Sequence, residues 1–276
     1  MSPKLKRSLI CWGLLSPIVV VILFPYLTML STALTAKSEI FVFEKSWFPK
    51  VPTLENFAMV WTERGFGRAL ANSLYISIGA TLLSVIVAVP AAYAMSRLHF
   101  KGRNAYRIYL LITQMISPIV LIIGLFRLFA FLGMVNSMNA LIAAQSAFFM
   151  AFAIWMTASY FDTVPKELEE AAWLDGAGKF TAFMRVFLPL CLPGIAVTAL
   201  FTFINSWNEY ALALTLLRDN ASHTVPVAIA FLTGTLYEIE WNLIMAATFM
   251  ATIPVAIIFA SIQRYLIRGL SLGGVK

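Results

Sequence analysis

Apolar residues recur along the chain in long windows without charge, separated by short polar stretches. A spanning helix needs about 20 mostly apolar residues. The first such window lies between Ser8 and Ala36, and the second between Arg68 and Arg97. A third runs between Arg107 and Arg127. The next, Leu128 to Phe161, is too long for one straight helix, and Asn136 and Asn139 place a loop at its start. The fifth window begins near Val186 and reaches Leu217, with Glu209 inside it; the sixth runs from Trp241 to Gln263. The pattern predicts an all-α polytopic membrane protein of six transmembrane helices, over 9–31, 70–95, 108–126, 140–161, 188–210 and 241–263. The whole chain, 1–276, reads as a single transmembrane domain with a polar loop at 162–187.

Composition supports this pattern. The chain is 61% hydrophobic and 12% charged, against roughly 45–50% and about 25% in soluble domains. That leaves too little polar surface to wrap a water-soluble globule, whereas a bilayer lets apolar side chains face outward. The net charge of +7 follows the ends of the apolar runs, which indicates membrane orientation and not nucleic acid. The N-terminus, the Arg97–Arg107 loop, the Asp162–Arg185 loop and the C-terminus hold 13 of the 20 Lys and Arg. By the positive-inside rule both termini are expected in the cytoplasm. The segment Lys37–Arg68 then becomes the largest external loop, and its Trp47, Pro49, Pro52 and Trp61 suggest a folded cap or a set of interfacial anchors. Lys4, Lys6 and Arg7 precede the first window, which exceeds a 7–15-residue signal core, so it reads as a retained signal anchor. Cys11 and Cys191 match no metal or redox spacing and read as packing residues. His99 and His223 read as solvated loop histidines.

The loop DTVPKELEEAAWLDGAGKFTAFMRVFLP, residues 162–189, carries the most information. Pro165 suits a helix start, and Glu167, Glu169 and Glu170 suit its positive end. Leu168, Ala171, Ala172 and Asp175 share one face. Gly176 and Gly178 permit a left-handed turn. A second short helix follows, with Phe180, Phe183, Met184 and Phe187 on one face, and Pro189 and Pro193 mark the entry to the fifth span. Two readings remain open for this hairpin: an amphipathic helix resting on lipid, or a slim helix seated in a partner's groove, with Glu170 offered to an arginine. An acidic helix facing an anionic leaflet favours the protein partner.

The spacing Glu170-Ala171-Ala172, then Gly176, then Val186-x-Leu188-Pro189 resembles the E-A-A motif of permease subunits of bacterial ATP-binding-cassette importers, with valine where the family has isoleucine. Elsewhere the chain is similar to the carbohydrate branch of that family, most of all to its smaller maltose-type permease. Asn72, Ala92-Tyr93-Ala94, Arg97, Phe100 and Gly102 follow that branch's pattern, as do Trp207-Asn208-Glu209-Tyr210 and the end QRYLIRGLSLGGVK. The resemblance implies that the loop is a coupling helix docking into an ATPase subunit through Glu170, Ala171, Ala172, Asp175 and Gly176. It implies that Gly273, Gly274 and Val275 reach the ATPase as well. It implies a second homologous permease, two ATP-binding subunits, a periplasmic or extracellular solute-binding protein facing the Arg218–Glu240 loop, and a carbohydrate substrate, all at the bacterial inner membrane. No G-x-x-x-x-G-K-[ST] loop occurs in the sequence, so no cofactor is expected on this chain, and ATP and Mg are expected on the partner subunits. The chain is thus expected to be a transport subunit and not an enzyme.

Within the spans, Asn205, Asn208 and Glu209 fall on one predicted helical face, flanked by Trp207 and Tyr210. An ionisable residue inside a span is a functional candidate. This cluster could bind sugar hydroxyls or bond to the sister permease, and both readings stand. Gln114 is a further candidate; Asn72 and Gln145 suit helix–helix bonding. The rival functions are an ion-coupled secondary carrier, for which Glu209 is the lone acidic candidate, a membrane enzyme, and a non-transporting scaffold.

Overall fold

A computed structural model describes the backbone of residues 3–40, 47–233 and 239–273, and the side chains of 11–40, 47–233 and 239–263. No strand occurs among the described residues. The long helices are α1 (Pro3–Ala33), α3 (Phe66–Arg97), α6 (Met138–Phe161), α9 (Leu188–Trp207) and α12 (Trp241–Gly273). Shorter helices are α2 (Glu55–Thr62), α4 (Arg103–Met115), α5 (Pro118–Phe131), α7 (Glu167–Leu174), α8 (Lys179–Ala182), α10 (Ala211–Leu216) and α11 (Val225–Phe231). Five helical stretches are long and apolar enough to cross a membrane, or six if α4 and α5 form one broken span.

Where the sequence predicts one span over 108–126, α4 and α5 meet at 91°. Pro118 carries no amide hydrogen and disfavours helical geometry in the residue before it. Ser117 is accordingly extended (φ −64°, ψ 129°), and Pro118 opens a new helix. The fifth span is also interrupted. Helix α9 stops at Trp207 and α10 starts at Ala211, so Glu209 lies in a break and not inside a helix.

The chain forms two compact units, Met1–Gly67 with Ala228–Pro254, and Arg68–Val227 with Val255–Lys276. In the first, α2 is tied to the end of α1. Asn56 is buried and donates from Nδ2 to the carbonyls of Ala33 (2.8 Å) and Thr35 (2.9 Å), which terminate α1. Its Oδ1 accepts from Asn242 Nδ2 (2.7 Å). Lys37 (3.0 Å) and Arg64 (2.9 Å) both pair with Glu240.

The second unit holds two apolar clusters. One gathers Ile76, Leu141, Ala144, Leu212 and Leu216. The other gathers Ala88, Ala92, Met95, Ile154, Phe161, Phe187 and Cys191. Small residues let helices approach closely, as expected where lipid removes the hydrophobic drive between helices. A Cβ on Gly79 would press Ile142, and one on Gly194 would collide with the Tyr160 ring. Hydroxyls add polar links, with Thr157 donating to Thr198 (3.3 Å) and Ser146 to the Ala80 carbonyl (3.3 Å).

His223 is not a solvated loop residue: it is 7% exposed. Asn72 on α3 donates to the carbonyls of Ala221 (2.9 Å) and His223 (3.0 Å), which draws the loop onto the helix. Burial lowers the His223 pKa, with Asp219 opposing. Cys191 packs in the core as expected, whereas Cys11 is exposed on α1.

Candidate functional site

The hairpin between α6 and α9 is built on one buried ion pair. Arg97, the last residue of α3, donates from Nε to Glu169 Oε2 (2.7 Å) and from a terminal nitrogen to the Val164 carbonyl (2.7 Å). Tyr93, one turn earlier on α3, donates its hydroxyl to Glu169 Oε1 (2.8 Å). Both carboxylate oxygens of Glu169 are thus engaged. The side chains of Arg97 and Glu169 are only 7% and 3% exposed. The guanidinium also lies 4.7 Å from the centre of the Phe187 ring, a favourable approach for a cation over a π face. Arg97 therefore touches α7, the linker before α7 and the entry to α9 at once. Below it, Arg107 pairs with Asp162 (2.9 Å).

From this anchor the hairpin presents its other faces outward. Gly176 takes φ +87°, the left-handed turn expected to end α7. Gly178 does not share that role; it is extended (φ −64°, ψ 157°) and precedes α8. Glu170, Ala171, Asp175 and Gly176 are exposed and Ala172 is half-buried. Apolar side chains accompany them, with Leu174 90% and Phe180 75% exposed.

The expected single face of Phe180, Phe183, Met184 and Phe187 is corrected. A π-helical turn over Phe183–Phe187 inserts an extra residue per turn. Ala182 and Phe187, five residues apart, both point inward, while Phe180 and Met184 point out. Phe183 and Phe187 pack edge-on against Tyr93, at 4.6 and 5.3 Å between ring centres.

The anchor itself escaped the sequence reading. Glu169 is one of two adjacent glutamates, and the motif drew attention to Glu170. The available signal was Arg97, the basic residue closing the second apolar window, which needs an acidic partner if it is buried.

The second cluster lies at the α9–α10 break. Glu209 folds over the start of α10, its Oε1 accepting from the Leu212 amide (2.7 Å) and its Oε2 from the Ala213 amide (3.0 Å). Buried Gln145 on α6 donates to Glu209 Oε2 (3.4 Å) and accepts from the Ser206 hydroxyl. The carboxylate thus supplies the helix start with acceptors that the interrupted span lacks. Asn205, Asn208, Glu209 and Tyr210 line a cavity of about 350 Å³ together with Ser117, Pro118, Phe148 and Phe149. Trp207 is not among them; it is 5% exposed and stacks on Phe203. Gln114 is exposed near the end of α4 and does not line this cavity either. Of the tail residues, Gly273 closes α12, while Gly274 and Val275 lie outside the described residues, as does Gly234 of the Arg218–Glu240 loop.

These features define a helical, multi-span membrane subunit with an exposed hairpin anchored to its bundle. The profile described as "Binding-protein-dependent transport system inner membrane component" matches residues 80–272. The chain belongs to this family, the permease subunits of ATP-binding-cassette importers. It is 36% identical to the trehalose/maltose transport system permease protein MalG of Thermococcus litoralis, over 99% of this chain and 98% of that one. It is 34% identical to the sulfoquinovosyl glycerol transport system permease protein SmoH of Agrobacterium fabrum, over 92% and 89%. It is 32% identical to the diacetylchitobiose uptake system permease protein DasC of Streptomyces coelicolor, over 99% and 100%. Its fold matches a subunit of a bacterial transporter that imports the acidic polysaccharide alginate, with TM-score 0.78 at 22% identity over 96% of this chain and 98% of that one. The family is one of transport components in the inner membrane, and none of these matches supports an ion-coupled carrier.

Proposed function

We propose that this chain is the smaller permease of a carbohydrate importer and that residues 162–187 couple it to an ATPase subunit. Both termini lie in the cytoplasm, the 276 residues act as one transmembrane domain, and a homologous permease, two ATP-binding subunits and a solute-binding protein complete the assembly. Nucleotide and Mg belong to the partner subunits; this chain's own part is mechanical. Glu170, Ala171, Ala172, Asp175 and Gly176 meet the ATPase, and the tail residues Gly273, Gly274 and Val275 reach it as well. The sugar class rests on relatives such as the trehalose/maltose and diacetylchitobiose permeases.

The carrying observation is the hairpin's two-sidedness. Its inner carboxylate, Glu169, is consumed by Arg97 and Tyr93, while Glu170, Leu174 and Phe180 are exposed. An acidic and apolar surface held on a rigid base suits insertion into a basic, apolar groove. When that groove moves, the base carries the displacement into α3 and α9.

Site-specific crosslinking from Ala171→Cys in the assembled importer tests this. Adducts with the ATPase subunit are expected, and adducts with lipid alone would remove the coupling role. Glu170→Lys is expected to abolish ATP-driven uptake while membrane insertion stays normal; uptake at the original rate contradicts the assignment.

A further inference from the structure

Helices α4, α5 and α6 border an apolar groove of about 590 Å³, to which the coupling hairpin contributes no residue. Leu110, Leu121, Leu125, Leu128, Phe148 and Ile154 are among its walls. Side-chain hydroxyls enter from α4 alone, at Tyr106, Tyr109 and Thr113, and the Thr113 hydroxyl is spent on the Leu110 carbonyl (2.7 Å). The lining runs from Tyr106 to Ile116 on one side and from Ala144 to Ile154 on the other. At 1.5 Å per helical residue each wall is about 15 Å long. That is half of the roughly 30 Å hydrocarbon core, the depth of one leaflet.

One end of this groove is cationic. The first turn of α4 borders both the groove, through Tyr106, and a shallow hollow of the α3–α4 loop lined by His99, Lys101, Arg103 and Asn104. Arg103, Tyr106, Leu110 and Thr113 follow one another at spacings of three, four and three, along one face of α4. Arg103 gives a terminal nitrogen to the Ser96 carbonyl (3.3 Å), while its buried Nε has no hydrogen-bond partner among the described residues. A buried N–H without an acceptor is costly, so this donor calls for one from outside the chain. Lys101 is exposed. The carboxylate beside them is Asp162, 2.9 Å from Arg107 and 4.0 Å from Arg103. Against Lys101, Arg103 and Arg107 it leaves an excess of two positive charges. No side chain caps the start of α4 and its first turn holds no acidic residue, so the positive end of the helix adds to the field.

An apolar slot one leaflet long with a cationic mouth fits a molecule with a hydrocarbon tail and an anionic head. We propose that the groove holds an acyl chain of an anionic phospholipid of the cytoplasmic leaflet, with the phosphate at Lys101 and Arg103. Basic pockets between spanning helices on that side bind such headgroups. The choice of leaflet rests on the orientation proposed above; the lipid chemistry does not.

The test uses the complete importer in phosphatidylcholine nanodiscs with a trace of phosphatidylglycerol, or of phosphatidylcholine, that carries a diazirine in one acyl chain. Phosphatidylglycerol label is expected on this chain within 106–128 or 144–154, at least about tenfold above phosphatidylcholine label, and unlabelled phosphatidylglycerol should compete it away. A basic residue near the surface is worth about fivefold in affinity for an anionic lipid. Lys101→Gln should therefore lower the preference about fivefold, and Lys101→Gln with Arg103→Gln should bring the two probes near parity. Lys50→Gln, outside this region, should leave it unchanged. Should the double variant fail to assemble, Lys101→Gln alone decides, because that side chain is exposed. Equal labelling by the two probes overturns the anionic headgroup, and no label in those stretches overturns the groove. A benzophenone attached at Gly124→Cys that captures the sister permease and no lipid gives the groove to that subunit and overturns the proposal as well. Orientation is read separately, in a Cys11→Ser background. A membrane-impermeant maleimide should reach Lys101→Cys in inside-out vesicles and not in right-side-out ones. The reverse overturns the leaflet assignment together with the proposed orientation, and leaves the lipid labels standing.

Discussion

Replacing Arg97 with methionine would leave the Glu169 carboxylate buried with only the Tyr93 hydroxyl beside it. An exposed ion pair is worth about 0–1 kcal/mol, but these side chains are 7% and 3% exposed, which places them in the other regime. Removing one member of a buried pair costs about 3–5 kcal/mol, because the remaining charge has lost its partner. The Val164 carbonyl loses its donor as well. Glu169→Gln should fall in the same range, since it leaves the buried guanidinium without its counter-charge and offers one amide oxygen where Tyr93 and Arg97 each had a carboxylate oxygen. Combining the two changes should cost roughly 2–3 kcal/mol less than the sum of the singles, the non-additivity expected of groups in one network. The measurement is a double-mutant cycle by SDS-driven unfolding in mixed micelles, with ATP-driven uptake followed in parallel. Additivity within about 0.5 kcal/mol would refute the linkage, because independent sites behave that way.

Two further outcomes follow from particular contacts. Gly194→Ala should destabilise the bundle by about 1–3 kcal/mol, since the new Cβ meets the Tyr160 ring; pairing it with Tyr160→Ala should recover part of that loss in the same unfolding assay. His223 has a folded pKa below its ordinary 6.5 because burial disfavours the cation. The unfolded chain therefore binds the extra proton first, and stability present at neutral pH is lost as pH falls below about 6.5 and through the folded value; unfolding between pH 7.5 and 5 should show this slope, and His223→Gln should flatten it.

Much of this architecture could be read from periodicity, for a physical reason. A bilayer demands about 20 apolar residues per span, and that demand leaves a long, plain trace, so the windows predicted near α1, α3, α6 and α12 differ from the observed helices chiefly at their ends. The two broken spans were less legible. Pro118 is a visible break signal, but proline also occurs inside α1, α3, α9 and α12 without ending them. Whether a proline breaks a helix depends on what satisfies the freed carbonyls, which is a tertiary matter. Glu209 was legible as an anomaly but not as a cap, because its ligands are backbone amides three and four residues later. The motif marked the hairpin's exposed face. Its buried face, Glu169 with Arg97, depends on residues 72 positions apart, which no local spacing encodes.

The placement of Arg97 explains how a hairpin at the bundle's margin could move the bundle. Were the hairpin held by side-chain contacts on lipid-facing surfaces alone, a push on α7 would tilt it and dissipate. Instead Glu169 is tied to two residues one turn apart on α3, at Tyr93 and Arg97, which resists rotation as well as translation. The same guanidinium lies over Phe187, whose ring packs on Phe161 at the end of α6 (4.9 Å) and on Tyr93 (5.3 Å). The π-helical turn sits where this contact joins α9. A turn with an extra residue is a place where the hydrogen-bond ladder is already irregular, so rotation of the hairpin can be absorbed there without breaking the rest of α9. A displacement of α7 is therefore delivered stiffly to α3 and α6 and with a hinge to α9. Helix α9 stops at Trp207, and its cap Asn208 lies on the cavity where both broken spans meet. The stiff arm and the hinged arm move by different amounts under one push, and that difference is what could open or close the cavity.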